Sequence, residues 1–94
     1  MSDSGTHLHD PAEKKRQINR LSRILGHMQY IRRLMEEDAD CGDVLMQIAA
    51  ARSALNGLGK EIINEHMTHC IAHAMETGDE EALKDFQEAI RRYM

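Results

Sequence analysis

Apolar residues in the middle of this chain recur at alternating spacings of four and three, which is typical of the buried face of one α-helix. The positions of this stripe are Val44, Ile48, Ala51, Leu55, Leu58 and Ile62. The stripe passes without a change of phase through residues 56–59, although two glycines there each cost a helix about 1 kcal/mol. Since a hairpin would shift the phase, we predict one long second helix over residues 41–76.

Shorter apolar stripes lie on either side of this helix. Asp10 is an N-cap candidate followed by Pro11, so a first helix is predicted from Pro11 to about residue 37. Its apolar positions are Leu21, Ile24, Leu25, Met28, Ile31, Leu34 and Met35. Gly78 is expected to end the second helix and Asp79 to cap a third. The apolar face of the third helix consists of Leu83, Phe86 and Ile90.

Long helices leave a chain of 94 residues with little interior, and its aromatic side chains are few: no Trp, one Phe and two Tyr. With no alternating strand pattern, the sequence predicts one all-α domain over residues 11–94, preceded by a mobile His-containing tail over residues 1–10. Oligomerisation is the expected way to complete the core. Neither a signal peptide nor an apolar run of membrane-span length is found, so a cytoplasmic protein with no membrane partner is expected.

Charge is distributed unevenly along the chain, although the net charge is only −4. Seven basic residues and no acid lie between residues 14 and 33, whereas residues 61–88 contain eight acids and one lysine. Such asymmetry indicates either a basic face for nucleic acid or a solvated helix face, and charge alone does not separate the two. No acid–base pair or phosphate-binding loop accompanies it, so neither an enzyme nor a small-molecule substrate is expected.

Three residues have the chemistry of a metal site: Cys41, His66 and Cys70. His66 and Cys70 are four positions apart, which places them on one face of a helix, about 6 Å from each other. Two thiolates and an imidazole suit Cu(I), Zn(II), Ni(II) or Co(II). The alternative is a histidine and a small buried cysteine that only pack in the core.

The position of Cys41 bears on this choice. In a continuous helix Cys41 and His66 are about 37 Å apart along the axis, so they cannot hold one ion within a single chain. They can do so if two copies of the second helix pack antiparallel, which would give a two-fold dimer with two identical sites. A hairpin at residues 56–59 is the rival geometry, because it would bring Cys41 close to residue 70 of its own chain.

Two stretches of the chain carry a family resemblance. The first is CGDVLMQIAAARSALNGL over residues 41–58, followed by the His66-x-x-x-Cys70 spacing, and the second is NRLSRILGH over residues 19–27. Over about residues 9–94 the chain resembles the CsoR/RcnR family of metal-responsive bacterial repressors. The resemblance implies a three-helix protomer with a long central helix, an antiparallel dimer that forms a four-helix bundle, and a disc-like tetramer of two dimers. It also implies that the metal-free protein binds operator DNA and that the metal-loaded protein releases it.

The resemblance also concerns the metal. The order cysteine, histidine, cysteine is that of the family's copper(I) sensors, which makes Cu(I) the preferred ion for the three candidate ligands. The nickel/cobalt branch uses a histidine near the N-terminus, where this chain has His9, and a four-coordinate Ni(II) or Zn(II) complex would have His69 as a further candidate. Copper sensors often carry a tyrosine where this chain has Asp40. An acidic residue of the third helix that supports the ligands would correspond to Asp85.

For DNA, Arg20 and Arg23 on the first helix and Arg52 on the second match basic positions that the family uses. This basic face is extended by Lys14, Lys15 and Arg16. Small neighbours of Arg52 leave its guanidinium exposed for a phosphate contact. The alternative for Arg52 is an ion pair with an acid of the first or third helix.

The expected function is a repressor that binds operator DNA without metal and releases it when Cu(I) binds an intersubunit Cys–His–Cys site. One alternative is a nickel- or cobalt-sensing repressor that adds His9 as a ligand. Another is a thiol or persulfide sensor in which Cys41 and Cys70 of two protomers react with each other. The third is a helical metal-binding protein with no role on DNA.

Overall fold

Three α-helices make up the computed structural model, which describes residues 10–94 apart from the side chain of Cys70. They are α1 (Pro11–Glu36), α2 (Cys41–Thr77) and α3 (Glu80–Tyr93). Residues 10–94 contain no β-strand, so the predicted all-α protomer with a long central helix is confirmed. Within this described part, no helix combines the length and the apolar character that a membrane span needs.

The long helix α2 runs for 37 residues and does not break at residues 56–59. The rival hairpin therefore does not form. The apolar stripe that keeps its phase through both glycines is the signal that separates the two geometries, since a turn would have to displace it.

Polar caps and one glycine set the helix boundaries that the sequence predicts. The Asp10 carboxylate accepts the backbone N–H of Glu13 at 3.2 Å, and the Asp79 carboxylate accepts that of Ala82 at 3.1 Å. Gly78 follows α2 with a φ of +73°, a left-handed conformation that glycine adopts without steric cost. These local contacts explain why the predicted and observed ends agree within a residue.

The chain divides into two compact units, of which one comprises Asp10–Lys60. In this unit α1 packs against the first part of α2. The buried apolar side chains of the unit are Ile24, Ile31 and Leu58. A hydrogen bond of 2.7 Å between His27 Nε2 and Gln47 Oε1 also joins the two helices.

Several apolar positions of α1 and α2 are nevertheless exposed in this unit. Met28 is 51% exposed, Ile48 is 43% exposed and Leu55 is 49% exposed. They belong to an open groove of ≈ 340 Å³, whose lining residues are Ile24, Met28, Ile31, Ile48, Ala51, Arg52 and Leu55. An exposed apolar groove of this kind is a typical feature of a surface that another protein chain covers.

Of the described residues, the second unit contains residues 61–94, which are the rest of α2 and all of α3. α3 has Glu80 and Glu81 in its first turn and Arg91 and Arg92 in its last turn, so its charges complement the helix dipole at both ends. The apolar face of α3 is half-buried: Leu83, Phe86 and Ile90. Through Phe86, this face contacts the candidate ligand His66 of α2.

Candidate metal centre

Cys41 is the first residue of α2, and its free thiol is exposed. The carboxylate of Asp40 accepts the backbone N–H of Gly42 at 3.0 Å, which caps the helix directly beside the thiol. The carbonyl of Asp40 accepts a further hydrogen bond, of 3.1 Å, from the N–H of Val44. The backbone that carries the Cys41 thiol is thus held by both polar groups of Asp40.

His66 lies on α2 in the second unit, and its imidazole is half-buried. The ring of Phe86 on α3 packs against the imidazole, with ring centroids 5.7 Å apart and an angle of 37° between the planes. Phe86 therefore restricts the plane in which His66 presents its nitrogens. From the sequence alone, Phe86 is predicted only to belong to an apolar face, and the one sign of a further role is that it is the chain's single phenylalanine.

The structure describes the other candidate ligands to different extents. Cys70 lies in α2, four residues after His66, so the predicted helical spacing of these two residues is present. His9 lies outside the described residues. His69 is exposed on α2, and Asp85 is exposed on α3 beside Phe86 in the sequence. The three-ligand site remains a prediction, as do the roles of His9 and Asp85.

The predicted basic face lies in the unit formed by α1 and the first part of α2. Arg20 is half-buried, and its guanidinium occupies the space over Gly57, where any Cβ atom would overlap Nη2. The remaining members are exposed: Lys14, Lys15, Arg16, Arg23 and Arg52. Exposed cationic side chains on one compact unit have the chemistry that phosphate contacts require.

Arg52 lines the apolar groove of this unit and is exposed. Within residues 10–60 it forms no ion pair with an acid of α1, which is the first of the two alternatives considered for Arg52. Its charge is therefore presented beside an apolar surface rather than neutralised by the neighbouring helix.

Two other members of the basic run interact within α1. The Nε of Arg32 lies 3.2 Å from a carboxylate oxygen of Glu36, and both side chains are exposed. The guanidinium carbon of Arg33 lies 5.5 Å from the centre of the Tyr30 ring. The basic run thus combines a solvated helix face with the residues of the predicted DNA surface.

Over residues 13–92 the chain matches the family model described as metal-sensitive transcriptional repressor. It is 33% identical over 87 residues to the copper-sensing transcriptional repressor CsoR of Bacillus subtilis (strain 168), and the match covers 90% of this chain and 86% of that protein. It is 39% identical over 66 residues to the copper-sensing transcriptional repressor RicR of Mycobacterium tuberculosis (strain ATCC 25618 / H37Rv), with 70% of this chain and 69% of that protein covered.

Solved structures of such regulators have the same fold. The copper-sensing repressor CsoR with Cu(I) from Geobacillus thermodenitrificans NG80-2 matches with a TM-score of 0.85 at 29% identity, covering 92% of this chain and 91% of that chain. The nickel-responsive transcriptional regulator InrS matches with a TM-score of 0.76 at 36% identity, covering 94% of this chain and 100% of that chain.

These relatives are transcriptional regulators, which confirms both the resemblance seen in the sequence and the expectation that the chain is not an enzyme. The family model spans all three helices, and the fold of the solved relatives is the fold found here. The chain therefore belongs to the metal-sensitive transcriptional repressor family.

Proposed function

We propose that this repressor senses Cu(I) through Cys41 of one protomer and His66 and Cys70 of another, and that it releases operator DNA when the site is filled. Two thiolates and one imidazole form a soft, low-coordinate donor set, which is the set that Cu(I) favours. The copper-sensing relatives from three bacteria support this choice of ion. When bound, Cu(I) would supply a link between the ends of two α2 helices.

The continuity of α2 is the single observation that carries the intersubunit arrangement. Cys41 and His66 are separated by 25 positions of unbroken helix, which rise about 37 Å. An antiparallel pair of α2 helices would bring the start of one helix to the end of the other, and would form two equivalent sites. The exposed apolar groove gives such a dimer a surface to bury, and a tetramer of two dimers would follow the family pattern.

On the DNA side, the proposed surface is the basic face of the first unit. Arg20, Arg23 and Arg52 would contact phosphates, and the further cationic members are Lys14, Lys15 and Arg16. The cytoplasm is the compartment proposed for the protein, because its thiols must stay reduced to bind metal and its target is DNA.

The proposal is tested by titrating reduced protein anaerobically with Cu(I), Ni(II) and Co(II) while DNA release is followed. The DNA probe is a labelled duplex that the metal-free protein selects from a random library. We expect one Cu(I) per protomer and loss of DNA binding at that ratio. If Cu(I) binds tightly and the duplex stays bound, the protein is not a Cu(I)-released repressor.

A nickel-sensing function is the second candidate, because the chain is 36% identical to the solved chain of the nickel-responsive regulator InrS, all of which the match covers. Ni(II) prefers four or more donors and would recruit His9. Deletion of residues 1–9 keeps the Asp10 cap and should leave Cu(I)-driven DNA release intact while weakening Ni(II) binding. The variant His9→Ala is the matched control. Loss of the Cu(I) response in either variant would favour the nickel function.

A further inference from the structure

Arg20 of α1 lies across α2 at Gly57. A Cβ atom placed on Gly57 would overlap the Nη2 of Arg20 and would lie 3.5 Å from its Cζ. Both residues belong to the same compact unit, and Arg20 is half-buried there. The guanidinium therefore occupies the place that a side chain at position 57 would take.

The backbone of α2 does not require glycine at this position. Gly57 lies in the helix interior, and among residues 10–94 the only glycine with a positive φ is Gly78. Glycine in a helix interior costs about 1 kcal/mol relative to alanine, so Gly57 weakens α2. What distinguishes it from Gly26 of α1, which has nothing within 4 Å of a Cβ position, is the close approach of Arg20.

We propose that Gly57 is a positioning residue for DNA binding, which seats the guanidinium of Arg20 against α2 and holds it in one orientation. The inference rests on the proposed role of Arg20 in contacting DNA. An arginine side chain has many rotamers, and a seat on a rigid helix removes part of the ordering cost that phosphate binding otherwise requires. The planar, two-pronged guanidinium gains more from such a seat than a lysine ammonium would.

The test is a double-mutant cycle of Gly57→Ala and Arg20→Ala, with Gly26→Ala as the matched control. Affinity for the selected duplex is measured by fluorescence anisotropy over a salt series, with metal-free protein. Gly57→Ala should weaken binding about 2- to 10-fold, which corresponds to re-ordering one long side chain. Its salt dependence should match that of wild type, because the charge remains. Arg20→Ala should weaken binding and also lower the salt slope by about 0.9 for each phosphate that the arginine no longer neutralises.

In the Arg20→Ala background, adding Gly57→Ala should have no further effect, and Gly26→Ala should bind as wild type does. The overlapping atom is the far end of a flexible side chain, and alanine favours the helix more than glycine does, so Gly57→Ala should keep its helical content and its melting temperature should not fall. Arg20→Lys tests the positioning role of Gly57 without changing α2. This variant should keep the salt dependence of wild type but bind the duplex more weakly, and adding Gly57→Ala to it should not change its affinity further.

Several results would overturn the inference. Equal weakening by Gly57→Ala with and without Arg20 would mean that it acts through α2 itself. If Gly57→Ala or Arg20→Lys binds the duplex as tightly as wild type while Arg20→Ala binds it weakly, Arg20 contacts DNA but Gly57 does not position it. If Arg20→Ala binds the duplex as tightly as wild type, neither the DNA contact of Arg20 nor its positioning by Gly57 holds. If the metal-free protein selects no duplex from the library, that result counts against the proposed repressor function instead.

Discussion

Among single residues, Phe86 contacts the candidate ligand His66 without being a candidate ligand itself. Its ring lies 5.7 Å from the His66 ring, centroid to centroid, and comes from a different helix. A half-buried imidazole that packs against an aromatic ring has fewer orientations to lose when it binds an ion. The contact also links the candidate ligand His66 on α2 to α3, so the position of His66 can influence how α3 packs.

Replacing Phe86 by Leu should therefore weaken Cu(I) binding about 2- to 10-fold, the cost of ordering one freed side chain. Leucine keeps most of the apolar contact of α3, so helical content should stay the same. Affinity is measured by anaerobic competition with a Cu(I) chelator. The control is Ile90→Leu, a volume-conserving change on the same face of α3. Equal Cu(I) affinities for both variants and wild type would show that the ring does not orient His66.

Replacing His66 itself by Ala should separate binding from response. Two thiolates remain in the proposed site, so much of the Cu(I) affinity should be kept. DNA release should be lost, because in the proposed site the imidazole would join the end of one α2 to the start of the other and so couple Cu(I) binding to DNA release. Chelator competition and fluorescence anisotropy on the same preparation measure the two properties. Normal release of DNA by this variant would contradict a role for His66 in the switch and would favour thiol sensing.

At the scale of helices, the sequence predicts most of what the structure contains. Periodicity and capping are local, so the boundaries at Asp10, Gly78 and Asp79 and the unbroken stripe of α2 can be inferred from neighbours in sequence. The seat of Arg20 on Gly57 and the ring contact of Phe86 depend on how two helices pack. The periodicity of apolar residues carries no information about such contacts. Gly57, taken with its neighbours in sequence, even disfavours the helix in which it lies.

The start of α2 gives a prediction at this scale. Asp40→Ala removes the carboxylate that accepts the N–H of Gly42, which should cost about 1 kcal/mol of stability and let the first turn fray. Because Cys41 lies in that turn, Cu(I) affinity should fall as well. Asp10→Ala removes the equivalent cap of α1 and should lower the melting temperature to a similar extent without changing Cu(I) affinity. If both variants bind Cu(I) equally, the cap does not position the thiol.

At the scale of the whole molecule, the proposed site can be assembled from two defective chains. Cys41→Ala retains His66 and Cys70, whereas a chain with His66→Ala and Cys70→Ala retains Cys41. An antiparallel dimer of one copy of each has one complete site, although neither homodimer has any. Co-expression with two affinity tags should therefore yield a mixed dimer that binds one Cu(I) tightly. A mixed dimer with no tight site would contradict the proposed intersubunit Cys–His–Cys site.

The uninterrupted α2 also places a restraint on chain length. Deleting one residue between Cys41 and His66 would turn everything beyond it by about 100° and draw it back by about 1.5 Å. In the proposed site, a ligand would then face away from the ligand of the other protomer, even though every side chain of that site was still present. The shortest change that restores the original face to within about 20° is seven residues, and it would move the ligand along the axis by about 10 Å. Substitutions in this stretch should therefore be tolerated far more readily than insertions or deletions, because the continuous helix α2 sets both the distance and the relative orientation of the candidate ligands at its two ends.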